Sequence, residues 1–332
     1  MKGPKLQKGA KIGVFSASSP ISATVPIRYE RGRAFLESKG FQVVDGSLFG
    51  KKEGYRSGSI RARAEEFNEL LHREDVDVLM SAIGGYNSNA ILPYIDYEYL
   101  KKHPKIIVGY SDTTALLLGI YAQTGLTTFY GPALAASFGE FPPFVEETFE
   151  AFVKMTGGVQ TPYDYPAPSM WTEEFIPWDT QDRAKTGQPN EWECLIPGKV
   201  TGRLMGGNLN TLEGIFGTPY MPEIREGDIL LLEDSLTDAA AVERSFNLLK
   251  LAGVFDKAGG VILGKHEGFR DLGSGRRPQD ILLEVLDGKK LPILARFDCC
   301  HTHPMLTLPI GCKAELDAAG KRLTLLEEPV NG

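Results

Sequence analysis

Cysteine is scarce in this chain of 332 residues: it occurs only as Cys194, Cys299, Cys300 and Cys312. They form neither a C-x-x-C pair nor a zinc-type spacing, so no disulfide framework and no metal site is expected, and the thiols read as reduced. Cys299 and Cys300 adjoin His301, but successive side chains on a strand point to opposite faces, which favours packing over a joint thiol or metal function. Positive charge is not in surplus either. Lys plus Arg number 36 against 43 Asp plus Glu, a net charge of −7. The basic residues form no run, which argues against a nucleic acid polymer as partner while leaving a small nucleotide open. No window approaches the ~18 apolar residues of a membrane span, and the opening MKGPKLQKGAKIGVF lacks an apolar leader core. No membrane partner is expected, and the cytoplasm is the expected location. Solenoid repeats and low-complexity tracts are missing as well.

What is present is an ordinary globular composition, 42% hydrophobic and 24% charged, in a chain long enough for two domains. Residues 1–156 alternate strand and helix patterns: KIGVFSA, a helix through IRYERGRAFLESKG, FQVVDG, a helix through SIRARAEEFNELLHR, VDVLMSAIGG, and KIIVG. Such alternation predicts an α/β fold with a doubly wound parallel sheet whose site lies at the carboxyl ends of the strands. Residues 157–199 show no extractable period and read as a long loop or linker. They hold every tryptophan of the chain, Trp171, Trp178 and Trp192. Residues 200–332 return to strand and helix patterns, with strands DILLLED, GGVILGKH and LPILARFD, and end in an alternating pair around DAAGK that reads as a hairpin. They form a second, mixed α/β domain.

Ser111 stands where the buried-strand run Ile106-Ile107-Val108 gives way to a helical pattern. Two readings fit it. Ser111 and Asp112 are residue types that cap a helix, or the serine occupies a nucleophile elbow with an amide at the helix start facing a developing oxyanion. The elbow pattern is half met, because Gly109 precedes the serine by two residues but Thr113 follows it by two. A nucleophile needs a base. His72 and His103 lie in surface-like contexts, whereas His266, His301 and His303 follow strands, where sites collect. Glu233 closes the apolar strand of DILLLED. A carboxylate buried there needs a cation or an imidazole N–H, although a helix-capping role near Asp238 also fits.

VGYSDTTAL, GGYNSN, RLMGGNLNTL, LLLEDSLTDAAAVERSFNLLK, GGVILGKHE and HTHPMLTLPIG, in this order, resemble the serine peptidase family of LD-carboxypeptidases and microcin C immunity proteins, over residues 11–327. The resemblance implies a flavodoxin-like N-terminal domain, a swivelling β-barrel type C-terminal domain, and a triad divided between them. Ser111 is then the nucleophile, Glu233 the acid and His301 the base, with the backbone N–H groups of Gly85 and Asp112 as the oxyanion hole. His301 and His303 share a face on an extended segment, and only the motif register selects His301. The family usually has glycine where this chain has Cys300. No cofactor is implied, and a homodimer is.

Two chemistries share that triad: trimming a D-amino acid from a murein peptide, and cutting the amide between an amino acid and a sulfamoyl or phosphoramidate nucleotide. The long 157–199 excursion resembles the immunity-type loop and favours an aminoacyl-nucleotide substrate. Trp171 and Trp178 are the candidates for stacking on its base, while Trp192 drifts toward a core strand. A non-catalytic ligand-binding module and an ordinary α/β-hydrolase esterase are the competing readings. The conjunction of Ser111, Glu233 and His301 at strand ends stands against the first, and the missing second elbow glycine against the other.

Overall fold

The computed structural model describes every residue except Cys300 and Gly332, so the departure at Cys300 lies outside the described residues. The short β-branched runs of the N-terminal part become strands with both faces covered. Val78–Ser81, Ile106–Gly109 and Thr128–Tyr130 are buried throughout, the burial expected of a parallel sheet with helices on either side. Among the described residues this sheet runs Leu308–Ile310, Thr128–Tyr130, Ile106–Gly109, Val78–Ser81, Lys11–Phe15, Gln42–Asp45. All neighbours are parallel except Leu308–Ile310, which adds antiparallel at the edge. Two helices start on side-chain caps: Ser59 accepts from the amide of Ala62 at 3.1 Å at the start of helix Ile60–His72, and Asp238 from Ala241 at 3.1 Å at the start of Ala239–Leu251. With Asp238 in that place, the helix-capping role weighed for Glu233 is already filled.

The second sheet is mixed. Its parallel centre is Lys199–Asn208, Ile229–Glu233, Gly260–Gly264 and Ile293–Phe297, and the hairpin Lys313–Asp317 with Arg322–Leu325 extends it antiparallel. Its two edges, Tyr163–Asp164 and Glu193–Ile196, come from the segment in which no period could be found. Strands of two and four residues leave no periodic trace, which is why that segment looked irregular. Helix Thr114–Thr124 is buried from Thr114 to Ile120. It packs on its own sheet and on the Lys199–Asn208 strand of the other, and a helix covered on all sides carries no polar face. No helix among the described residues is long and apolar enough to cross a membrane.

The strand Leu308–Ile310 joins the two halves, since it lies in the chain between Ile293–Phe297 and Lys313–Asp317 of the second sheet yet pairs with Thr128–Tyr130 of the first. Without it the fragment 1–156 has an exposed apolar edge, which invites aggregation. The whole chain is expected to unfold in a single transition by circular dichroism, and the isolated fragment to lack one. A monomeric fragment that melts cooperatively would show the added strand to be dispensable.

Candidate functional site

The two sheets point the carboxyl ends of Ile106–Gly109 and Ile229–Glu233 toward a common seam, and a cavity of about 280 Å³ opens there. Ser111, Asp112, Gly84, Gly85 and Tyr110 line it from the first sheet, Asn208, Asp234, Glu267, His301 and His303 from the second half, and Phe175, Trp178 and Lys185 from the 157–199 segment. The structure thus brings Ser111 and His301 into one cavity, although they are remote in sequence.

Ser111 has φ 59°, a left-handed conformation that is uncommon for a residue with a side chain and is typical of strained functional turns. Neither the short 3-10 turn Ser111–Thr113 nor the helix that follows is capped by a side chain at its start. Asp112 does not cap its own helix either. Its carboxylate accepts from the amides of Asn87 and Ser88, both at 3.0 Å, and its carbonyl accepts from the Ser88 hydroxyl at 2.6 Å. The loop GGYNSN is thereby tied to the serine turn. A Cβ at Gly84 would lie 2.8 Å from the Ser111 Cβ and 3.3 Å from the Asp112 amide nitrogen, and Gly85, at φ 150°, has no room for one against Ser18. Gly84 lets backbone approach Ser111 with the Asp112 N–H beside it, and Gly85 lets the same loop pass close to Ser18.

Glu233 is fully buried and closes its strand against three donors. His301 Nδ1 lies 2.8 Å from Oε2, Asn208 Nδ2 donates to Oε1 at 3.1 Å, and the Tyr130 hydroxyl donates to Oε1 as well. Burial alone would raise the carboxyl pKa, but His301, Tyr130 and Asn208 outweigh it and hold the group below its ordinary value. An ionised Glu233 fixes His301 with its proton on Nδ1, which makes Nε2 the basic nitrogen of the ring. Tyr110 presses edge-on against that ring at 4.8 Å. His301 alone of the three strand-end histidines meets a carboxylate in this way. His266 turns Nδ1 to the carbonyl of Gly264 at 3.2 Å and is held down to about 4 by burial. His303, held down to about 3 mainly by burial, faces Glu140 at 3.7 Å.

The tryptophans divide. Trp178 lines the cavity and stacks on the Arg28 guanidinium at 4.5 Å. Trp171 is buried, is not among the cavity-lining residues, and packs over Lys265 at 5.1 Å. Trp192 is core, donating from Nε1 to Asp298 at 2.8 Å and tilted on Phe297 at 4.4 Å. Tyr130, Asn208, Glu140, Lys185 and Glu267 went unnoticed in the sequence. Only Tyr130 left a signal, a phenol at the carboxyl end of a short strand-like run.

A strained serine at a strand-to-helix turn thus lines one cavity with a histidine held by a buried carboxylate, an arrangement compatible with a hydrolase of the serine-peptidase class. Comparison with known proteins agrees: residues 12–131 match the LD-carboxypeptidase N-terminal domain and residues 201–316 the LD-carboxypeptidase C-terminal domain. The Escherichia coli microcin C7 self-immunity protein MccF is 52% identical over 97% of this chain and 95% of its own. A Vibrio cholerae protein bearing the name of a carboxypeptidase is 56% identical over 94% of this chain and 93% of its own. The wild-type apo structure of MccF superposes with a TM-score of 0.97 at 52% identity, covering 100% of both chains. The chain therefore belongs to the LD-carboxypeptidase family of serine peptidases. MccF itself has been solved with aspartyl sulfamoyl adenosine, with glutamyl sulfamoyl guanosine and, as a tryptophan-to-phenylalanine variant, with adenosine monophosphate.

Asp234 adds a pH dependence. It is buried beside Glu233, and burial, reinforced by that neighbouring charge, pushes its pKa up to about 6. In the unfolded chain an aspartate ionises near ~3.9. The fold therefore bears a cost above about pH 6 that disappears below about pH 4, worth up to ~3 kcal/mol. Asp234→Asn keeps an acceptor for the Asn208 amide and the Ser235 N–H, so urea unfolding should show the variant gaining stability at pH 8 relative to its effect at pH 4. Equal effects at both pH values would mean that the Asp234 charge carries no burial cost.

Proposed function

We infer that the protein is a serine hydrolase of microcin immunity type that cuts the amide joining an aminoacyl group to a sulfamoyl or phosphoramidate nucleotide. In this reading it acts in the cytoplasm on a small-molecule substrate, as a homodimer. The observation that carries the mechanism is the 2.8 Å contact of His301 with buried Glu233 in a cavity shared with Ser111. Ser111 Oγ attacks the acyl carbonyl while His301 Nε2 takes its proton, and Glu233 stabilises the imidazolium. The oxyanion is received by the backbone N–H groups of Gly85 and Asp112, where loss of one such donor typically costs about 3 kcal/mol. The imidazolium then protonates the departing nitrogen. Water, deprotonated by His301, releases the acid and restores the Ser111 hydroxyl.

Two things support the nucleotide half. MccF, which shares about half its residues with this chain, binds aminoacyl sulfamoyl nucleosides, and the cavity here carries aromatic surface from the 157–199 segment. Trp178 lines it over Arg28, and Phe175 stands at its edge, 76% exposed. Trp178, and not the buried Trp171, is thus the residue proposed to stack on the base. The second reading, an LD-carboxypeptidase acting on murein peptides, is favoured by the family profile matched in both halves. It uses the same triad.

Incubation with aminoacyl sulfamoyl adenosine and, separately, with an L,D-linked muropeptide, read by mass spectrometry, decides between them. Cleavage of the muropeptide alone would overturn the nucleotide reading. Ser111→Ala is expected to lose roughly 10⁴-fold or more in turnover with folding intact. His301→Ala should fall comparably, and normal turnover in that variant would move the base elsewhere. Trp178→Ala should raise KM for the nucleotide substrate about 5- to 150-fold and act far less on a peptide lacking a base. An equal effect on both would make the indole structural.

A further inference from the structure

A second cavity, of about 340 Å³, lies apart from the catalytic one and shares no lining residue with it. Helix Phe144–Thr156 turns Glu147, Glu150 and Lys154 to it, at the three- and four-residue spacing that aligns side chains on one helix face. Tyr163, on an edge strand of the second sheet, and Tyr165 form another wall, their rings edge to face at 5.3 Å. The stretch that carries the base has two sides: His301 and His303 line the catalytic cavity, whereas Pro304, Leu306 and Thr307, all buried, line this one.

The charges on these walls are unmatched. Glu147 is half-buried and, among the described residues, has neither an ion pair nor a hydrogen bond. Burial raises its pKa first, and the two charges that act on it, Glu150 and Asp298, are both negative and raise it further. Glu150 is exposed and equally unpaired, and Lys154 makes no ion pair with either carboxylate. Two carboxylates against one ammonium leave the wall net negative. The phenol rings beside them add aromatic faces, which attract cations. Thr307 gives an independent sign of a missing partner: it is 1% exposed, and its Oγ1 has no hydrogen bond, although its carbonyl accepts from the Tyr165 hydroxyl at 3.2 Å. Buried hydroxyls are ordinarily paired.

We propose that this second cavity is a binding site for a small organic ammonium ion with an apolar, ring-bearing body. Glu147 and Glu150 take the ammonium group, the body lies against Tyr163, Pro304 and Leu306, and Thr307 Oγ1 supplies a further polar contact. An anion is repelled by the two carboxylates, and a neutral hydrocarbon would desolvate Glu147 with nothing in return. A cation with an apolar body answers both the charge and the walls. The site does not include Ser111, Glu233 or His301, so the inference goes beyond the hydrolase reading and does not depend on it.

The test varies the ligand and the protein together. 2-Phenylethylamine is titrated calorimetrically into the whole protein at neutral pH, beside 3-phenylpropanoate, which keeps the ring and reverses the charge, and butylamine, which keeps the charge and lacks the ring. The aromatic amine should bind, with the propanoate weaker by roughly tenfold or more and butylamine weaker by roughly fivefold. The double variant Glu147→Gln, Glu150→Gln should bring the amine down to the level of the propanoate, and Tyr163→Ala should weaken it by roughly fivefold. Thermal unfolding accompanies each variant, and should Tyr163→Ala fail to fold, Tyr163→Leu takes its place, keeping apolar volume without the ring. Ser111→Ala and Trp178→Ala, which alter the catalytic cavity, should bind the amine as the wild type does. Equal affinity for the amine and the propanoate, or no binding of the amine at millimolar concentration, overturns the site. So does a loss in Trp178→Ala with none in the glutamine variant, which would put the amine in the catalytic cavity. Cleavage of aminoacyl sulfamoyl adenosine is measured separately, so that failure of the hydrolase reading and failure of this site are told apart.

Discussion

A single carboxylate at the seam of the molecule organises the rest. Glu233 is fully buried, and a bare charge in that position costs several kcal/mol. Its partners come from three separate parts of the chain: Tyr130 from the last parallel strand of the first sheet, Asn208 from the end of the neighbouring strand in the second, and His301 from the segment after Ile293–Phe297. The charge is tolerated only where the two halves of the molecule meet in one register, so docking of the halves and orientation of the imidazole are the same event. Asn208 extends the linkage, since its side-chain carbonyl accepts from Thr211 at 3.0 Å at the start of the next helix while its amide serves both Glu233 and Asp234.

The seam has a second buried ionic centre, and it belongs to the loop. Glu140, on the N-terminal half, gathers Arg28, Lys185, Gln181 and His303. Lys185 and Gln181 come from the 157–199 segment and His303 from the same stretch as His301. Asn190 and Trp192 hold the far end of the segment through Asp298 at 2.8 Å each. The later half of the loop is therefore fastened by charge-assisted contacts, which are stronger than neutral ones. Just before these fastenings the loop presents Phe175 and Trp178 to the cavity. A wall held in this way keeps its aromatic surface in place before any ligand arrives, so less ordering entropy is lost on binding.

Much of the architecture was legible in the sequence, for specific reasons. Ile106-Ile107-Val108 could be read as a buried strand because a strand covered on both faces has no alternation to disguise it. The helix after Ser111 could be read from spacing, and the turn between them from Gly109 and a cluster of small polar residues. Trp171 illustrates the limit. Composition put it in the same class as Trp178, yet one indole packs on Lys265 and the other faces the cavity. Nothing in a window without a period tells which way a ring will turn. The edge strands Tyr163–Asp164 and Glu193–Ile196 were hidden for a similar reason, being too short for any repeat to show.

What the sequence determined by itself was local: where strands end, where a serine with a glycine two residues before it must turn, and which histidines follow strands. These depend on neighbours along the chain, through steric limits on φ and ψ and through the period of the apolar residues. Tertiary structure alone decided which of those histidines meets a carboxylate. His301 and His303 are two residues apart and chemically identical, but one reaches Glu233 at 2.8 Å and the other faces Glu140 at 3.7 Å. That choice depends on where two strands more than sixty residues apart bring their carboxyl ends, and on which buried charge each ring compensates. Electrostatic partnership in a buried seam is set by distances in space, and spacing along the chain does not encode it.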